Sequence, residues 1–261
     1  MYTVQAILQL ARVDSSILAF LSLFIPIYAR THDLTVSIER AIPLLFICMC
    51  AFIANDLDDL ERDQINHPER PLPKRRLSLT VAALLFFICL ALALFLTKRY
   101  VDERIAFWYY GLATVSISYG YVVEWLPSIK APYVAVAISV PVLIVAASYP
   151  AEHHLYVVAV AGFMLALGRE LCMDIADRAG DVRSAMHRIP ESRLAVTAFI
   201  SQTIGWALLV LQIRRTLDLL AAVFLAIVLL IAGIWWFRAK KYIVARRLMK
   251  LAFLVGMYFL L

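Results

Sequence analysis

The chain has 261 residues, 63% of them hydrophobic and only 17% charged, with a mean hydropathy of +0.82. A soluble domain is nearer about 45–50% apolar and about 25% charged, so much of this apolar surface must face lipid, which excludes a water-soluble globule. The net charge of +6 fits basic residues gathered at cytoplasmic helix ends, and no aromatic-and-basic pattern points to nucleic acid.

A transmembrane helix needs about 20 mostly apolar residues. On that measure nine spans are predicted, at 14–30, 41–56, 77–97, 105–124, 132–150, 154–172, 193–212, 217–237 and 242–261. The expected architecture is one all-α, polytopic membrane domain over residues 1–261. No small-residue cleavage site follows the first apolar stretch, so that stretch is expected to stay as a membrane helix. Pro26, Pro43 and Pro141 interrupt three spans, which membrane helices tolerate because neighbouring groups satisfy the freed carbonyls. Cys48, Cys50, Cys89 and Cys172 lie in or beside apolar segments, without a CxxC or Cys/His cluster, and are expected to be small membrane-core residues.

With nine spans, the N-terminus and every second connection share one side. That side carries 18 of the 25 Lys and Arg, and the other carries 7. The excess places it in the cytoplasm. Both long polar stretches, 56–76 and 173–193, are then cytoplasmic. His153 and His154 fall in a short loop on the opposite side and are expected to be exposed connectors.

The second and sixth spans each run out into acidic residues. The first cluster holds Asn55, Asp56, Asp58, Asp59, Glu61 and Asp63; the second holds Glu170, Asp174, Asp177 and Asp181. At about 100° per residue, Asn55, Asp59 and Asp63 fall within about 80° of one another, with Asp56 close to that arc. Glu170, Asp174, Asp177 and Asp181 fall within about 60°. Each cluster is therefore expected to present a stripe of carboxylates on one helix face. Like charges at i,i+4 repel, and ionisable groups near lipid are costly, so something positive must offset them. Mg²⁺ suits the place, because it takes hard oxygen ligands and bridges one or two carboxylates to substrate phosphates. Two such stripes across a cavity could hold a diphosphate between them.

Basic residues accompany the acids. The segment His67-Pro68-Glu69-Arg70-Pro71-Leu72-Pro73 follows the first cluster, and its prolines fix a rigid turn. That turn could aim the planar fork of Arg70 at phosphate. Lys74, Arg75 and Arg76 read as topology signals and lipid-headgroup contacts. Arg62 and Arg178, inside the clusters, could bind phosphate or screen the acids.

Together these residues resemble the UbiA superfamily of intramembrane prenyltransferases. Asn55-Asp56-x-x-Asp59-x-x-x-Asp63 is similar to its first motif, and Asn66-His67-Pro68-Glu69-Arg70-Pro71-Leu72-Pro73 to the usual continuation. Asp174-x-x-Asp177-x-x-x-Asp181, preceded by Glu170, resembles the second motif. Arg12 resembles the family's Arg near the start of the first span, and Tyr119 to Lys130 its segment after the fourth. The resemblance implies nine helices around a central cavity. It also implies a reaction in which Mg²⁺ helps ionise a prenyl diphosphate and the prenyl group passes to an aromatic or other small acceptor. Asn55, Asp59, Asp63, Asp174, Asp177 and Asp181 would then meet metal and diphosphate, the five Asp residues as Mg²⁺ ligands. Asp56 and Glu170 would lie beside them, Arg70 would meet the diphosphate, and Arg12, Arg62 and Lys130 would join the substrate contacts.

The chemistry is consistent with that carry-over. Diphosphate leaves poorly until metal and Arg neutralise its charge, and the carbocation must be kept from water. A bilayer cavity lined by Tyr, Phe and Trp supplies that exclusion and accepts the greasy chain, at roughly 0.8 kcal/mol per buried CH₂. Tyr119 could steady the cation through its π face, or serve in the interfacial aromatic belt. Four positions depart from the family pattern. Glu124 stands where a Lys is usual five residues after the Tyr, Lys74-Arg75 replace Ser-Gly, and Arg188 replaces a Thr. They bear on the acceptor more than on the diphosphate site. A terpene cyclase on the same scaffold needs the same site and no acceptor. A cation transporter is disfavoured because the acids sit at helix ends, with few charges mid-helix to continue a path.

Overall fold

The computed structural model describes residues 2–176, 189–213, 216–237 and 248, and the regular structure among them is helical throughout. In chain order the helices are α1 (Tyr2–Leu10), α2 (Val13–Thr31), α3 (Leu34–Asp58), α4 (Leu60–Asn66), α5 (Leu79–Tyr100), α6 (Glu103–Trp125), α7 (Lys130–Ser148), α8 (His154–Ala176), α9 (Glu191–Val210) and α10 (Thr216–Phe237), with a 3₁₀ turn at Pro127–Ile129. The first eight predicted spans fall on α2, α3 and α5 to α10. The ninth, 242–261, lies outside the described residues except at Leu248. Six described helices, α2, α3, α5, α7, α8 and α9, are long and apolar enough to cross a membrane. The protein is an integral, multi-pass membrane protein.

Helix ends follow capping residues more than hydropathy. α3 starts seven residues before its predicted span because the Asp33 side chain accepts from Val36 N at 3.0 Å, satisfying an orphan donor of the first turn. Ser78 caps α5 in the same way, accepting from Val81 N at 3.2 Å. Pro26, Pro43 and Pro141 lie buried inside α2, α3 and α7, and each helix runs on through its proline.

The chain divides into two compact units, α1 to α6 and α7 to α10. In the first, α3 is central: α2, α5 and α6 all pack against it. Its apolar core near the end of α3 joins Ala6 and Leu10 of α1, Cys50 and Ile53 of α3, Leu72 and Leu77 of the following loop, and Ala82 and Cys89 of α5. This core anchors the segments that carry the first acidic cluster. Tyr109 of α6, fully buried, donates its hydroxyl to Arg40 O of α3 at 2.6 Å.

In the second unit α8 lies between α7 and α9. Glycine sets how closely α8 and α9 approach, as small residues do in membrane helix pairs. A Cβ on Gly168 would sit 2.5 Å from Gln202 Cγ and 2.7 Å from the Ala198 carbonyl oxygen. Because the second obstacle is backbone, Gly168→Ala must push the helices apart. The expected cost is about 1–3 kcal/mol of overpacking, read as a lower melting temperature in detergent, whereas Gly111→Ala, where an added Cβ meets nothing within 4 Å, should leave it near wild type. The core beneath the second acidic cluster comprises Ala131, Leu171, Cys172, Ile175, Leu194 and Ala198.

Candidate active site

The first cluster straddles two helices. α3 ends at Asp58, Asp59 takes φ −92° and ψ 12°, and α4 resumes at Leu60. This departs from the single continuous helix expected from the spacing. The stripe nevertheless persists, because four-residue hydrogen bonds bridge the break. Asp59 N donates to Asn55 O at 2.9 Å, Asp63 N to Asp59 O at 2.8 Å, and His67 N to Asp63 O at 2.9 Å. Each keeps one motif position stacked on the next.

Two arginines from elsewhere in the chain close on this stripe. Between α1 and α2 the backbone of Arg12 is left-handed, at φ 42° and ψ 53°, a conformation costing a non-glycine residue about 1 kcal/mol. Arg12 Nη2 lies 2.5 Å from Asp56 Oδ1, and its guanidinium sits 4.9 Å from the centre of the Phe52 ring. Phe52 and Asp56 are four residues apart on α3, so one cation meets both a ring and a carboxylate. Arg70 comes from the proline-rich turn after α4. That turn is held by Arg70 N donating to His67 O at 3.0 Å, Lys74 N to Arg70 O at 3.1 Å and Arg76 N to Pro71 O at 2.9 Å. Arg70 Nη1 lies 2.5 Å from Asp63 Oδ2 and 3.2 Å from Asp56 Oδ1. Asp56 and Asp63 are 2% and 4% exposed. Arg62 pairs with Asp59 at 2.7 Å on a more exposed face.

Burial pushes the Asp63 carboxyl above its usual range; Arg70 opposes this, while Asp56 and Asp59 add to it. The group stays raised, chiefly because it is buried, despite the guanidinium at contact.

α6 approaches the same end of α3 at Gly120, where a Cβ would fall 2.0 Å from Asp58 Oδ2. Only glycine lets the carboxylate lie against the helix there. Glu124, one turn on, is exposed and near enough for its charge to act on Asp58. Tyr119 is half-buried on α6.

In the second unit, Lys130 opens α7 and its Nζ lies 2.9 Å from Oδ1 of Asp174, which is 5% exposed. Arg169 and Glu170, adjacent on α8, form a close ion pair. Asp177 and Asp181 lie outside the described residues, as do Arg178 and Arg188. Arg169, Phe52 and Gly120 carry no motif signature in the sequence. The spacing of Phe52 from Asp56 was the available signal for the ring under Arg12.

Mg²⁺ is the ion this donor set fits: hard carboxylate oxygens, with no soft ligand among the motif residues. Among the described residues no three His, Cys, Asp or Glu side chains converge as a cage.

The family model of the UbiA prenyltransferases matches residues 16–258. The chain belongs to the UbiA prenyltransferase family. Among relatives of known name, a digeranylgeranylglyceryl phosphate synthase from Thermococcus gammatolerans is 33% identical over 141 residues, covering 52% of this chain and 49% of that protein. The chain thus spans about half the length of the curated relatives it matches. The apo structure of a UbiA homolog from Aeropyrum pernix K1 superposes with a TM-score of 0.77 at 14% identity, covering 94% of this chain and 98% of that one. A UbiA homolog from Archaeoglobus fulgidus bound to GPP and Mg²⁺ gives a TM-score of 0.68 at 16% identity, with coverages of 98% and 99%. At these identities the likeness is one of fold, and it is the helical UbiA membrane fold.

Proposed function

We propose that the protein is a Mg²⁺-dependent intramembrane prenyltransferase that takes an isoprenyl diphosphate as donor and releases diphosphate. The observation that carries this reading is the pairing of motif carboxylates with cations: Asp56 with Arg12 and Arg70, Asp63 with Arg70, Asp59 with Arg62, and Asp174 with Lys130. The two sets of groups have natural partners in a Mg²⁺–diphosphate, carboxylates for the metal and cations for the phosphate oxygens.

Asp59, Asp63 and Asp174 would hold the metal, with Asp177 and Asp181 completing the second motif. Bound there, Mg²⁺ supplies Lewis-acid neutralisation of the leaving diphosphate. Arg12, Arg70 and Lys130 neutralise the phosphate charge that grows as the C1–O bond breaks. The bond's electron pair leaves with diphosphate, a new bond forms between C1 and the acceptor, and the acceptor loses a proton. Tyr119 would face the cation with its ring. In this reading the active site lies on the cytoplasmic side. The related proteins are named as synthases of a glyceryl phosphate, so an acceptor alcohol carrying that group stands beside aromatic acceptors.

The test is product analysis by mass spectrometry, with labelled prenyl diphosphates of several lengths and acceptors of both kinds. A prenylated acceptor, with diphosphate release abolished by a chelator and restored by Mg²⁺, is expected. A cyclic hydrocarbon or alcohol formed without acceptor would identify a terpene cyclase instead, and no release under any condition would reject both. Glu124→Lys, restoring the residue usual in the family, is expected to tighten pyrophosphate binding measured by calorimetry. Unchanged affinity would show that this position does not reach the diphosphate.

A further inference from the structure

We infer that Asp56 is a positioning residue. Through a single buried oxygen it sets two guanidinium groups, from segments 58 residues apart in sequence (Arg12 and Arg70), to receive one diphosphate. The inference rests on the reading of the first motif as a diphosphate site.

Asp56 Oδ1 accepts from Arg12 Nη2 at 2.5 Å and from Arg70 Nη1 at 3.2 Å. At 2% exposure the carboxylate lies beneath the two guanidiniums, whereas the Arg12 and Arg70 side chains are 29% and 19% exposed. The cations, not the acid, present themselves outward. Each arginine has five N–H donors, and these contacts engage one terminal nitrogen of each. The remaining donors of two planar forks, held at one oxygen, form the arrangement that grips phosphate oxygens bidentately.

The geometry also separates Asp56 from Asp63. Arg70 Nη1 is shared between them, lying closer to Asp63 Oδ2 at 2.5 Å. If Asp63 turns to a metal ion, its hold on Arg70 weakens, and Asp56 remains to keep Arg70 in place. A carboxylate that must stay on the arginines cannot also serve the metal, so the two acids have different work although they lie within one motif. The left-handed backbone of Arg12 belongs to the same device. The local strain is tolerated where it brings a cation from the α1–α2 break onto Asp56 and the face of Phe52.

The experiment uses the full-length protein in detergent or nanodiscs. Binding of inorganic pyrophosphate is measured by calorimetry with and without Mg²⁺, and steady-state KM and kcat are measured with prenyl diphosphate. Asp56→Asn keeps the shape and removes the charge, and Arg70 retains Asp63, so the variant should fold. The expected result is pyrophosphate affinity weakened about tenfold or more without metal, at the scale of one charge-assisted hydrogen bond. KM should rise by a similar factor, with kcat changed much less. Phe52→Leu, which leaves every charge in place, should weaken pyrophosphate binding about twofold to fivefold by removing the ring under Arg12. In a double-mutant cycle, Asp56→Asn and Arg12→Ala should be strongly non-additive in pyrophosphate affinity.

A merely structural Asp56 predicts a lower melting temperature with pyrophosphate affinity and KM within twofold of wild type, and that result overturns the inference. Failure of the wild-type protein to bind pyrophosphate or prenyl diphosphate, with Mg²⁺ present, overturns the diphosphate reading itself and this inference with it. The two failures are distinguished by whether the wild type binds.

Discussion

Asp59→Ala is expected to lower turnover at saturating donor by about a hundredfold to a thousandfold or more while leaving the protein folded. The magnitude is that of removing one group aimed at charge developing in the transition state. Folding should survive because the Asp59–Arg62 pair is partly exposed, with the Arg62 side chain 43% exposed, and such pairs contribute only about 0–1 kcal/mol. The control follows from the same pair. Arg62→Ala removes the ion pair but leaves the carboxylate, so if Asp59 acts on the metal it should lose much less turnover than Asp59→Ala, even where Arg62 also meets phosphate. Asp174→Ala should lose turnover equally, but at a greater cost in stability, because Asp174 is 5% exposed and its carboxylate lies 2.9 Å from Lys130 Nζ. Asp174→Asn, isosteric, separates the two effects: the melting temperature should recover more than the activity. Initial rates with labelled prenyl diphosphate and Mg²⁺, beside thermal melts of each variant, provide the comparison. Wild-type rates from either Asp variant, well folded, would refute the metal site.

The helix-face placement of the motif residues could be read from the sequence, and the reasons are physical. The four-residue spacing of Asn55, Asp59 and Asp63 survives even where the helix breaks, since it is enforced by hydrogen bonds spanning the same four residues. Membrane spans were legible because lipid demands long apolar runs, and eight of them lie on the long helices observed. Other features had no such signature. α1 is nine residues long, too short to register as a span, yet its Ala6 and Leu10 complete the core below Asp56. The break at Asp59 is invisible to a periodicity argument. Arg12 was expected to touch substrate directly, and pattern alone gave no indication that it is 2.5 Å from Asp56, because that contact spans 44 residues of sequence. The pairing of Lys130 with Asp174 is likewise a tertiary event. Sequence shows which charges exist and on which face of a helix; which opposite charges meet depends on packing between helices.

Arg70→Ala is expected to be the most destabilising single substitution in the first cluster, by about 3 kcal/mol or more. Its guanidinium nitrogen serves two carboxylates that are almost completely buried. Removing one cation from a buried pair leaves uncompensated charge, at a typical cost of about 3–5 kcal/mol. Arg12→Ala should cost less, because Asp56 would keep Arg70 and because Arg12 is the more exposed of the two. Arg70→Lys should recover only part of the loss, since its ammonium on a flexible stem is less well preset at the place where Arg70 Nη1 meets both carboxylates. The double substitution Arg70→Ala with Asp63→Asn should be more stable than Arg70→Ala alone, because it removes the stranded charge together with its partner. Thermal melts of the four variants in one detergent test this order. An Arg70→Ala melting temperature equal to wild type would mean that solvent already stabilises Asp56 and Asp63. The site would then be wetter than their 2% and 4% exposure allows, and the case for a dry chamber in which a departing diphosphate needs preset cations would fail at its base.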